Sequence, residues 1–128
     1  MKHHLMVCSM LALVCLIGCG QTRSPQQQLN LYVEAEQKNL PRVVDELTTL
    51  VDLQAKPLEI VYVYEITSLS DEDIKASTDS IKQSVREGLV REKDKLQDLT
   101  KGRIKMTYVY RGQTDADLIR FSMNPWEL

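Results

Sequence analysis

The sequence predicts a two-layer α+β domain, in which an antiparallel sheet of about four strands, arranged as two hairpins, is covered by a long amphipathic helix. Three observations predict it. Residues 48–66 and 103–123 alternate in the period of two that strands follow, and they are rich in β-branched and aromatic side chains. Residues 70–102 instead repeat their apolar positions at helical spacing. Each pattern leaves an apolar side to bury, and helices gathered on one face of an antiparallel sheet bury both.

The first element is a helix from Leu29, where Leu29, Tyr32, Val33, Leu40, Val43, Val44 and Leu47 recur at helical spacing. Pro41 stands inside this pattern, and proline in a helix loses a hydrogen bond and clashes with the preceding turn. A kink near Pro41, or a second helix starting there, is the expectation. Two strands follow in 48–66, turning around Ala55, Lys56 and Pro57. The second strand places Leu58, Ile60, Tyr62, Tyr64 and Ile66 on one face and Val61 and Val63 on the other, so it suits the interior of the sheet.

Ser70, with Asp73 three residues on, is a helix-starting capping box. The acidic run 70–74 therefore has a structural explanation, since acids in a first turn suit the helix dipole. Ile74, Ile81, Val85, Leu89, Leu96 and Leu99 form the stripe of one long helix, Glu87 and Arg91 are spaced to pair on its wet side, and Gly102 ends it. In the second hairpin, Ile104, Met106, Tyr108 and Tyr110 share a face, as do Ile119, Phe121 and Met123 beyond the polar loop 111–117. The phrases around Tyr62–Tyr64 and Tyr108–Tyr110 look alike, which two strands of similar composition explain without a repeat.

The chain opens differently. A basic lead, 1–4, precedes an apolar run from Leu5 to Ile17, shorter than the roughly 20 residues a spanning helix needs. A charged start, a short apolar core and small residues make up a secretory signal peptide. Its end, Leu16-Ile17-Gly18-Cys19, resembles the lipobox of bacterial lipoproteins, with Ile17 where Ala or Ser is more usual. The resemblance implies that 1–18 are removed, that Cys19 receives a diacylglycerol through a thioether, and that its new amine is acylated, with palmitate the expected chain. Two or more chains anchor stably where one does not. Gly20 in place of Asp implies an outer-membrane anchor with the domain in the periplasm. The alternatives are an ordinary secreted protein cut near Gly20 or an uncleaved anchor. Residues 19–28, polar and containing Pro25, read as lipidated cysteine and tether, and the nine after Cys19 reach about 30 Å when extended. Residues 29–128 are then one periplasmic domain.

Removing the signal takes Cys8, Cys15, His3 and His4 with it, and lipid consumes the Cys19 thiol. What remains lacks the residues for a Ser-His-Asp site, a Cys-His site or a His/Cys zinc site. No calcium-loop spacing occurs either. Neither a catalytic residue, a metal ligand nor a cofactor is therefore assigned. Without Lys2, fifteen basic residues face eighteen acidic ones, a balance that argues against a nucleic-acid partner.

A second resemblance covers most of the mature chain through short pieces: residues 39–46, Thr48 or Thr49 with Leu50, Tyr62-Val63-Tyr64, and Tyr108-Val109-Tyr110-Arg111 before a polar turn. These are similar to small exported bacterial proteins of unknown biochemical function. Several of those carry a cysteine late in the long helix and another near the C-terminus; this chain has neither. The resemblance implies the fold and no activity.

Candidate contact residues are Tyr62, Tyr64, Tyr108 and Tyr110, either an exposed aromatic face or rings packed beneath the helix, and Trp126 near the C-terminus. Asp45 and Glu46 are candidates for ligand binding, though adjacent helix positions diverge. The expected function is that of a non-enzymatic accessory or assembly lipoprotein. It would be held to the membrane by acyl chains on Cys19 and act on an envelope protein partner. An exclusion or inhibitor lipoprotein of a mobile element is the alternative. A carboxylate-dependent enzyme ranks third.

Overall fold

Ser24, Pro25 and Gln27 decide where the first helix starts. In the computed structural model, which describes residues 23–128, helix α1 runs Pro25–Gln37. The Ser24 hydroxyl accepts from the Gln27 amide at 3.2 Å, and the Gln27 side chain accepts from the Ser24 amide at 3.0 Å. Pro25 occupies the first helical position, where its missing N–H costs nothing. The helix therefore begins four residues before Leu29, inside the stretch expected to be tether.

It also ends before Pro41. The Leu40–Pro41 peptide is cis, and the chain then forms strand β1, Arg42–Val43, in place of a kinked or second helix. Asp45 lies in the following turn, where its carboxylate accepts from the Leu47 and Thr48 amides, each at 2.8 Å. Asp45 thus acts as a turn-forming side chain.

Strands β2, Thr48–Lys56, and β3, Glu59–Ile66, form the first hairpin. Strands β4, Lys105–Arg111, and β5, Asp117–Met123, form the second. The sheet has five strands in the order β1-β2-β3-β4-β5, mostly antiparallel as expected. Its central pair, β3 and β4, is parallel, which corrects the purely antiparallel expectation. Parallel neighbours need a long crossover, and the helical segment between the hairpins supplies one.

That segment is broken where one helix was expected. Helix α2, Asp71–Ala76, starts on Ser70, whose hydroxyl accepts from the Asp73 amide at 3.1 Å. Helix α3, Thr78–Arg91, follows at once. The Ser77 hydroxyl donates to the Asp73 carbonyl at 2.9 Å and that of Thr78 to the Lys75 carbonyl at 2.6 Å. Such local bonds compete with the helix and bend it. A 3₁₀ turn, Lys93–Leu96, then leads into helix α4, Gln97–Lys101, and a last 3₁₀ turn, Pro125–Glu127, closes the chain. The Glu87 carboxylate accepts from the Gln83 amide at 3.2 Å, whereas the sequence pairs it with Arg91.

All the helices contribute to one core. Leu29, Tyr32 and Val33 of α1, Ile74 of α2, Ile81, Val85 and Leu89 of α3, and Leu99 of α4 pack on the sheet face that carries Ile60, Tyr62, Tyr64, Met106, Tyr108 and Tyr110. The opposite face holds a separate cluster of Val61, Val63 and Val109 beside Val51, which contains strand residues alone among those described. Gly112 shows how closely the layers meet: a Cβ there would stand 2.2 Å from the Asp71 carboxylate and 2.9 Å from Leu118.

Candidate functional site

The four strand tyrosines do not form a contact surface. Tyr62, Tyr64 and Tyr110 are each 1 % exposed and Tyr108 is 0 % exposed, so the partner-facing role open to them is corrected to a core role. Parallel pairing explains their arrangement. It sets Tyr62 beside Tyr108 and Tyr64 beside Tyr110, and both ring pairs lie at 5.0 Å between centroids. Phe121 extends the stack from β5, 5.4 Å from Tyr108. Stacked pairs of this kind add about 0.5–1.5 kcal/mol beyond area burial.

Burial pushes all these phenols up from their ordinary range, and Tyr62 adds to the effect at Tyr108. Tyr32 on α1 is pushed up to about 12, chiefly by burial and then by Glu36, against a lowering by Arg42. Among the described residues, the hydroxyls of Tyr62 and Tyr108 have no hydrogen-bond partner. Arg42 of β1 reaches the tyrosine face, whereas Glu59 and Thr107 lie on the opposite one, where Thr107 donates to Glu59 and shares a 2.8 Å bond with Ser122.

Trp126 is half-buried and stands apart from the tyrosine stack, with the Arg103 guanidinium 5.0 Å over its ring. Cys19 lies outside the described residues. Among those described, no group of three His, Cys, Asp or Glu side chains could hold a metal ion, and no helix is long and apolar enough to cross a membrane.

A candidate contact surface lies between α3 and β5. An open groove of about 870 Å³ runs between them, lined from the helix by Lys82, Arg86, Glu87 and Val90 and from the strand by Ser122 and Met123. β5 ends the strand order, so one of its edges lacks a strand neighbour among the described residues. Such an edge offers unpaired backbone donors and acceptors. Val90 is 48 % exposed, and Lys82 places its ammonium 6.0 Å from the Phe121 ring centre. The groove joins a mixed-charge helix face, an exposed apolar side chain and a free strand edge, three features of peptide recognition.

Sequence reasoning missed this site, although it left one signal. Val90 falls beside the stripe of Ile81, Val85 and Leu89, an apolar residue on a wet face. What the sequence could not supply was the placement of β5 at the edge next to α3.

Two solved structures share this fold. One is a protein described as secreted from Pseudomonas aeruginosa, 14 % identical, with a TM-score of 0.63 over 76 % of this chain and 88 % of that one. The other is the type II secretion system pilotin AspS from Vibrio cholerae, 13 % identical, with a TM-score of 0.60 over 81 % of this chain and 95 % of that one. No protein-family model matches the chain, and no curated protein is found to be similar to it. At such identity the likeness is one of fold.

Proposed function

We propose that this chain is a lipid-anchored envelope protein, held through acylated Cys19 at the periplasmic side of the bacterial outer membrane, and that it acts by protein contact as an accessory or assembly factor. The observation that carries the contact role is the groove between α3 and β5, with its free strand edge and exposed Val90. The fold shared with a secretion-system pilotin supports the same reading, since that neighbour belongs to an envelope machine. The role is non-enzymatic, working through association. Confinement to a membrane raises the effective concentration near partners in that membrane, so a modest groove suffices.

Site-specific photo-crosslinking in cells tests it. A photoreactive residue at Arg86 or Val90 is expected to give a discrete adduct with one envelope protein, and the adduct should weaken when Cys19→Ser removes the anchor. The control position is Leu31, exposed on α1 away from the groove. Adducts at Leu31 with none at Arg86 or Val90 would contradict the assignment of the groove.

A further inference from the structure

The two ends of the sheet differ in charge and in the side chains they display. At one end meet the start of α1, the β2–β3 turn, the α4–β4 connection and the final 3₁₀ turn. They are tied together: the Gln26 side chain accepts from the Leu58 amide at 2.7 Å and donates to the Lys56 carbonyl at 3.2 Å, and the Lys105 amide donates to the Leu58 carbonyl at 3.0 Å. This end displays Arg23, Lys56, Lys101 and Arg103, with Lys105 half-buried beside Glu59, and it also carries Asp98, which lines one hollow with Arg23 and Lys101, and the exposed Glu127 next to Trp126. The opposite end carries Asp45, Glu46, Asp71, Asp115 and Asp117, close to Arg42 and Arg111.

Two backbone positions at the basic end are unusual. Leu58 and Arg103 lie in the left-handed region, at φ 52° and 54°. Glycine is the ordinary occupant there, because a Cβ is crowded in that conformation. The chain instead spends this strain on a leucine that is 50 % exposed and an arginine that lies over Trp126. The β2–β3 turn requires it of Leu58 and the end of α4 requires it of Arg103, where the Arg103 and Ile104 amides donate to the Thr100 and Leu99 carbonyls at 3.2 and 2.9 Å, and these turns leave the Leu58 side chain in solvent.

The start of α1 bears on the same end. With the helix beginning at Pro25, the stretch between Cys19 and the domain shrinks to residues 20–24, a reach of about 16 Å when extended. Arg23 belongs to that stretch and stands at the basic end.

We propose that the domain rests on an anionic phospholipid surface through this end, with Lys56, Lys101, Arg103 and Arg23 against the phosphates, Leu58 dipping in and Trp126 at headgroup level. The inference rests on the acylation of Cys19 proposed above. An anionic bilayer attracts clustered Lys and Arg, each strengthening binding roughly five-fold. Tryptophan suits an interface that is apolar on one side and wet on the other. The acidic end points away from the bilayer, which leaves the groove between α3 and β5 open at the side of the domain.

Trp126, the only tryptophan, is a built-in reporter. The full mature protein, extracted from membranes, would be reconstituted in vesicles of phosphatidylcholine with 30 % phosphatidylglycerol (on the order of a natural anionic content) carrying a nitroxide on a fraction of the phosphatidylcholine headgroups. The expected result is strong quenching of Trp126 that falls at least two-fold in pure phosphatidylcholine, in high salt, and in a Lys56→Glu/Lys101→Glu variant. Both substituted side chains are exposed, and the salt arm repeats the test on the native chain. Leu58→Asn, a residue suited to the left-handed backbone, should also reduce quenching. Protein that floats with the vesicles while Trp126 stays unquenched, or is quenched equally in all arms, overturns the orientation and leaves the anchor standing. Protein that fails to float at all overturns the anchor instead.

Discussion

Raising the pH should unfold this protein in one steep step rather than titrate its tyrosines one by one. All five tyrosines of the chain, Tyr32, Tyr62, Tyr64, Tyr108 and Tyr110, are buried, and burial holds each phenol above its ordinary value of 10.0. The folded state therefore keeps its phenol protons to higher pH than the unfolded state, which releases them near pH 10. The tyrosines' contribution is fully present below pH 10 and is lost as the pH rises above it. At pH 11 each tyrosine kept neutral in the fold favours unfolding by about 1.4 kcal/mol, and five together by about 7 kcal/mol. That is comparable to a typical total stability of about 5–15 kcal/mol. Tyrosinate absorbance near 295 nm and far-UV circular dichroism, followed together, should change in a single coincident transition between about pH 10.5 and 12. Gradual ionisation centred near pH 10 with the dichroism unchanged would refute the buried stack.

Three further substitutions, at two positions, test the packing. Tyr108→Ala opens a cavity between the Tyr62 and Phe121 rings and should cost about 3–5 kcal/mol in urea unfolding, whereas Tyr108→Phe removes only a hydroxyl without a partner among the described residues and should be neutral or stabilising by about 1 kcal/mol. A loss above 1 kcal/mol for the phenylalanine variant would show that the hydroxyl is bonded. Gly112→Ala should cost about 1 kcal/mol, because its Cβ must push aside the side-chain ends of both Asp71 and Leu118. A thermal midpoint unchanged from wild type would mean that α2 and the end of β4 are less closely packed.

The α+β class, the two hairpins and most of the core were legible because period-two and helical patterns report directly on burial. Ile60, Tyr62 and Tyr64 were placed on one face and Val61 and Val63 on the other, as the two clusters show. The parallel pairing of β3 with β4 was not legible, since residue patterns within strands do not encode their relative direction. The look-alike phrases around Tyr62 and Tyr108 turn out to be in-register neighbours. The break at Ser77 was hidden because the apolar stripe continues through it; only the hydroxyl bonds of Ser77 and Thr78 reveal it. Pro25 opens a helix and Pro41 follows the end of one, and a proline's identity alone does not tell these positions apart. The groove depends on which strand lies at the edge, a long-range fact that no local pattern carries.

The anchor is the premise on which localisation, contact and orientation all depend, and intact mass spectrometry of the protein purified from bacterial membranes tests it most directly. The expected product is a chain that starts at Cys19 and carries added diacylglycerol and acyl mass, both lost in Cys19→Ser. A mature chain with an unmodified Cys19, or one cut elsewhere, would contradict the anchor.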